Sequence, residues 1–172
     1  MKHGKWMVLA AVLAVIPYAE GAQTLVTERT LSVEAAQEVA KAAMEQCRKE
    51  GHKVTVTVLD HAARTKVVLR DDGASPHSVQ HSLNKAYTAL TYGEPSGDFG
   101  KRATASPTGA GALHLDKVAT AAGGLPIRSG NSVVGSVGVS GSRGTPGAPG
   151  GATDTKCAQA GIDRIAAGLS AN

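Results

Sequence analysis

Two strand pairs set among helix-like stretches constrain this chain more than any other feature. Residues 53–60 read KVTVTVLD. Val54, Val56 and Val58 alternate with polar residues, the period of a strand with one buried face. Asp60-His61-Ala62-Ala63-Arg64 reads as a turn, and TKVVLRDD (65–72) as the returning strand, so the two form a β-hairpin closed by Asp71-Asp72-Gly73. A second hairpin joins LPIRS (125–129) to NSVVGSVGVSGS (131–142) at Gly130-Asn131. Gly135 and Gly138 inside its long strand mark places where another backbone or a ligand comes close.

Helical periods surround these hairpins. Residues 31–50 are rich in Ala and Glu and carry Val33, Ala36, Val39, Ala40, Ala43 and Cys47 as a stripe. Ser32 is the expected N-cap; Ala35 stands where a capping box needs Glu, and Gly51 ends the helix. Residues 75–92 predict a second helix, capped by Ser75 with Pro76 at its first position, burying Val79, Leu83, Ala86, Tyr87 and Leu90. A short helix over 96–105 is expected to start at Ser96 and stop at Pro107. The stretch 108–124 has no decisive period. After a Gly/Pro loop (142–152), a last helix starting at Thr153 or Asp154 carries Cys157, Ile162, Ile165 and Leu169. The order α-β-β-α-α-β-β-α predicts one α+β domain, an antiparallel sheet of about five strands flanked by helices.

Composition agrees and removes several functions. In 172 residues, 42% apolar and 19% charged is the balance of a globular chain, not a disordered one. Aromatics at 3% are too few for a platform that stacks single-stranded nucleic acid. The 21 glycines lack a triplet period, which excludes collagen. The net charge is +4, but no run of Lys and Arg forms a phosphate-tracking stripe, so nucleic acid is not an expected partner.

Residues 1–22, MKHGKWMVLAAVLAVIPYAEGA, have the layout of a secretory signal peptide. Lys2 and Lys5 are followed by eleven apolar residues, Trp6 to Ile16, then Pro17 and small residues. An apolar run that spans a bilayer needs about 20 residues. Cleavage after Gly21 or Ala22 is expected; it leaves a short extension (23–30) and a domain over 31–172, with the net charge falling to +3 and no later membrane span. The alternative is an uncleaved anchor. Export to the periplasm or beyond favours pairing of the two cysteines, Cys47 and Cys157; the alternative is two small buried hydrophobes.

Four segments carry a family resemblance: LSVEAAQEVAKAAMEQC, the stretch KVTVTVLDHAARTKVVLRDDGASPHSVQHSLNKAYTAL, GGLPIRSGNSVVGSVGVSG, and GAPGGATDTKCAQAGI. In order and wording the chain resembles the GlcG/HbpS-like haem-binding family over about residues 31–170. It is similar as well to the corrinoid- and haem-binding C-terminal domain of some cobalamin adenosyltransferases. The resemblance implies a five-stranded antiparallel sheet flanked by helices, homo-oligomers up to octamers, and a haem cofactor. One departure is the first hairpin turn, which usually carries Gly and here reads DHAARTK.

Several side chains suit a flat, apolar, doubly anionic tetrapyrrole. Such a ligand needs an apolar slot, cations at the rim and usually an axial donor. GGLPI (Gly123, Gly124, Leu125, Pro126, Ile127) offers the slot. His114, close before it in sequence, is the first axial candidate and His81 the second; otherwise His114 is an ordinary loop histidine. His77 and His81 lie four apart on one helix face and together can share a metal, or else form a solvated polar face. Lys85 and Arg102, with Arg70, can pair with propionates or another small carboxylate, or are surface cations. The start of the last helix, GGATDTK, exposes amides to an anion unless Asp154 caps it. No catalytic motif stands out. GVSGS lacks the spacing and context of a nucleophile elbow, and no HExxH, Walker A or dinucleotide fingerprint occurs. The expectation is therefore an exported haem- or tetrapyrrole-binding protein in sequestration or sensing. The alternatives are an enzyme or accessory protein acting on a small organic acid, or a ligand-free oligomeric scaffold.

Overall fold

A computed structural model describes residues 25–144 and 150–170. The expected signal segment and its cleavage site lie outside the described residues. So do residues 145–149 of the Gly/Pro loop.

The chain runs through α1 (Val33–Lys49), β1 (Thr55–Asp60), β2 (Thr65–Arg70), α2 (His77–Tyr92), α3 (Ser96–Thr104) and α4 (Pro107–Ala110). A 3-10 turn (Gly111–His114), β3 (Gly124–Ser129), β4 (Ser132–Ser140) and α5 (Gly150–Leu169) follow. Both expected hairpins form. They join through β1 and β4 into one antiparallel sheet of order β2-β1-β4-β3. Among the described residues the sheet has four strands rather than about five. The α+β class and the flanking helices are as expected.

One sheet face carries the apolar core. Val54, Val56, Val58, Val137 and Val139 pack with Ala36, Val39, Ala40, Ala43 and Cys47 of α1 and Cys157 and Ala158 of α5. Ser32 caps α1 by accepting the Ala35 amide at 3.1 Å. Val33 is the stripe position that misses, 42% exposed beside the cap. Cys47 and Cys157 are joined as a disulfide with Cα atoms 5.5 Å apart, inside the range a disulfide spans.

The other face is buried too, which corrects the expectation of a half-exposed β1. It is covered by α2, and its chemistry differs. Thr55 bonds Ser78 and Thr57 bonds Ser82, each hydroxyl pair 2.7 Å apart. The helix lies so close that a Cβ on Gly138 would fall 2.0 Å from the Ser82 carbonyl, and one on Gly124 2.1 Å from that of Lys85. Only small side chains fit between. The buried stripe of α2 is therefore Ser78, Ser82, Lys85, Ala86, Thr88 and Ala89, not the expected apolar one. Of the expected set only Ala86 is buried; Val79 is 41% exposed, and Leu83, Tyr87 and Leu90 are half-buried on the outer side.

Helix ends supply the remaining differences. No side chain caps α2, and Ser75 takes part through its carbonyl, which accepts the Ser78 amide. Ser96 lies inside α3, where its hydroxyl donates to the Ala121 carbonyl and accepts the Gly124 amide. Pro107 opens α4 under the Ser106 cap instead of ending α3. α5 begins at Gly150, so Asp154 sits a turn inside it and is no cap. In the first hairpin, Ala63 takes the left-handed conformation (φ 60°) that a glycine adopts more readily, which accounts for the turn that departs from the family wording.

Candidate functional site

The packing of α2 on the glycine-bearing end of β3 and β4 draws a polar cluster into the interior. Lys85 reaches over the start of β3 and is 2% exposed. Its Nζ donates to Asp154 Oδ2 at 2.7 Å and to the Val139 carbonyl at 3.0 Å. Asp154 is itself 3% exposed, and its Oδ1 accepts the Ser142 hydroxyl at 2.7 Å and the Ser142 amide at 3.2 Å. Gly123 makes room for this pair: its φ is +123°, and a Cβ there would stand 2.9 Å from Lys85 Nζ. Burial pulls the Lys85 ammonium below its ordinary pKa, against the attraction and hydrogen bond of Asp154.

One turn before Lys85, His81 is half-buried with Nδ1 3.3 Å from the Ser140 hydroxyl. Burial lowers its pKa, the Lys85 cation lowers it further, and Asp154 pulls the other way. The shift favours the neutral ring, the form in which imidazole ligates a metal. His81 opens on a cavity of about 350 Å³ whose other walls are Leu113, Val118, Ala119, Thr120 and Ala121. The cavity surface is as polar as it is apolar, and among the hydrogen bonds of the described residues the ring uses only Nδ1.

The other sequence candidates are placed as follows. His114, at the end of the 3-10 turn, is exposed; its neighbour Leu113, not His114, lines the cavity. His77 is exposed one turn before His81, at the start of α2. Among the described residues no three His, Cys, Asp or Glu side chains converge as a metal site. Arg102 lies on α3, where Nε donates to Glu94 at 3.1 Å and the guanidinium sits over the Tyr92 and Phe99 rings. Glu94 raises its pKa. Arg70 donates to the Ala74 carbonyl. Gly123, Gly124 and Leu125 are buried by packing, with Pro126 half-buried, so the open space lies at 118–121 and not at GGLPI itself. The structure thus brings together His81, Lys85, Gly123 and Gly124. Sequence reasoning missed Ser140, Ser142 and Asp154 as their partners. Asp154 is 69 residues from Lys85, and its only local signal was that of a helix cap.

Fold and cluster together define a small α+β domain built on two hairpins, with a helix pressed onto glycines at the sheet end and a histidine-lined cavity beside it. A family model described as haem degrading protein HbpS-like matches residues 31–163, and the chain belongs to that family. It is 34% identical to HbpS of Streptomyces reticuli, whose double-mutant crystal structure superposes with a TM-score of 0.73 over 88% of this chain and 97% of that one. Protein ORFY of Klebsiella pneumoniae is 26% identical, with a TM-score of 0.74 over 84% of this chain and 96% of that one. The PduOC–haem complex shares the fold at 24% identity, a TM-score of 0.70, and 79% and 95% coverage. An uncharacterized 15.0 kDa protein from the dhaT–dhaS intergenic region of Citrobacter freundii is 33% identical over 114 residues, covering 65% of this chain and 80% of that one.

Proposed function

We propose that this protein binds haem, in an oxidising compartment outside the cytoplasm, with His81 facing the ring. The observation that carries the reading is the cavity at His81. It sets an imidazole whose Nδ1 already has a polar partner, the arrangement that orients a ligating histidine, beside the apolar side chains of Leu113, Val118 and Ala121. Membership of the HbpS-like family supports haem as the ligand class. Haem supplies iron for redox or sensing chemistry when bound; the chain supplies the slot, the imidazole and the charge at the rim.

The fit has one constraint. A cavity of about 350 Å³ is at the small end of ligand pockets, roughly 300–1,000 Å³, so a porphyrin is only partly covered by one chain. A neighbouring subunit completing the site agrees with the outer face of α2, where Val79, Leu83, Tyr87 and Leu90 remain wholly or partly exposed. Lys85 is committed to Asp154 and Arg102 to Glu94. Lys117, exposed beside Val118 and lying over the Tyr87 ring, is the cation nearest in sequence to the cavity wall. Export is supported by the signal-like residues 1–22 and by the disulfide, which persists only where thiols oxidise.

The test replaces His81 and His114 by Ala, one at a time, and titrates haem into each variant. His81→Ala shifts the Soret band and weakens binding, while His114→Ala leaves both close to the unmodified protein. The reverse pattern moves the ligand to His114, and no change in either variant removes both histidines from the site.

A further inference from the structure

At one end of the sheet three loops form a second concavity, sharing no lining residue with the cavity at His81. The α1–β1 connection contributes His52 and Lys53, the β2–α2 connection contributes Ser75, and the segment after β4 contributes Arg143. The cup has a volume of about 310 Å³. Its floor is backbone: Gly51 and Gly73 have φ near +80° with open space where a Cβ would stand, and Gly141 packs on the Lys53 carbonyl.

The side chains that line this cup are cationic or neutral, with the carboxylates of Glu50 and Asp71 close by His52 and Lys53. No carboxylate lines it. The nearest buried one, Asp71, is held by Arg48 through two bonds of 2.9 Å, and Lys53 stands further off at 3.8 Å. Asp72 is exposed in the adjoining turn and is not among the lining residues. Arg143 has no hydrogen-bond or ion-pair partner among the described residues, although its side chain borders a closed-in space. A lysine, an arginine, an imidazole and a hydroxyl side chain thus line one volume from three segments, all but His52 exposed. Donor side chains on three separate segments suit a tetrahedral oxyanion better than a planar carboxylate, which one flat fork satisfies.

We infer that the cup formed by His52, Lys53, Ser75 and Arg143 binds a tetrahedral oxyanion, either free phosphate or the phosphate group of a small ester. This site is independent of haem binding at His81. It is tested by following backbone amide NMR shifts of the purified, disulfide-bonded protein at constant ionic strength, with inorganic phosphate, glycerol phosphate and acetate as probes. Saturable shifts confined to 51–53, 73–75 and 141–143 are expected with phosphate. Arg143→Ala weakens them about tenfold, the scale of a lost charge-assisted hydrogen bond, and Lys53→Gln does likewise. Lys41→Ala, which removes a surface cation in the middle of α1, leaves them unchanged. Equal affinity for glycerol phosphate assigns the site to esters, and preference for inorganic phosphate to the free ion. Acetate binding as tightly as phosphate overturns the inference. So do shifts spread over the whole surface, or shifts that persist unweakened in the Arg143 and Lys53 variants. Haem titration of the same variants is unaffected, so the two sites succeed or fail separately.

Discussion

At the scale of single residues, the Lys85–Asp154 pair is the most consequential contact. Both groups are out of water, so each needs the other: an unpaired buried charge costs far more than the pair contributes. Asp154→Ala strands the Lys85 ammonium and is expected to destabilise the protein by about 3–5 kcal/mol. Lys85→Met combined with Asp154→Leu removes both charges and is expected to cost much less. Urea unfolding of the two variants makes the comparison; equal losses would show that the charges are not the source. Asp71 acts differently, because Arg48 is half in solvent while the carboxylate is buried. The hydrogen bond from Arg48 holds the Asp71 pKa below its ordinary value of 3.8, with burial opposing. A carboxylate with a depressed folded pKa stabilises fully above its unfolded pKa, and that stability is lost as pH falls towards the folded one. Asp71→Asn is therefore expected to flatten the loss of stability below about pH 4. An acid-unfolding curve as steep as that of the unmodified protein would contradict this.

At the scale of elements, α2 explains where sequence reasoning succeeded and where it stopped. Its existence and span follow from local signals. Its orientation does not, because the apolar positions Val79, Leu83 and Tyr87 form the more hydrophobic stripe and still face outward. What turns the helix is the sheet: Gly138 and Gly124 admit the helix backbone, and Thr55 and Thr57 offer hydroxyls to Ser78 and Ser82. The glycines in β4 were legible as places of close approach; the partner was not, since it lies more than fifty residues earlier in the chain. The same distance hid Asp154 as the partner of Lys85, while the two cysteines could be paired because only two exist. Gly138→Ala puts a methyl group against the Ser82 carbonyl and the Ala86 amide. Backbone on both sides cannot yield as a side chain does, so a loss of at least about 3 kcal/mol is expected, the upper part of the overpacking range. A denaturant midpoint near that of the parent would show that α2 is held less tightly than its geometry implies.

For the whole molecule, the disulfide ties the first helix to the last across 110 residues. Closing a loop of that length restricts the unfolded chain by about 4–5 kcal/mol in the chain-entropy account. Reduction is therefore expected to lower unfolding stability by up to that amount while leaving the fold, since α1 and α5 still meet where Gly161 packs on the Val39 carbonyl. Unfolding curves with and without a reductant measure it, and coincident curves would contradict the entropic role.

Haem binding is measured most directly by an absorbance titration of haem into the purified, oxidised protein. The expected result is a Soret band distinct from free haem that saturates at a fixed ratio of haem to chain and is altered when His81 is replaced by Ala. A spectrum that remains that of free haem, or absorbance that rises without saturation, would contradict it.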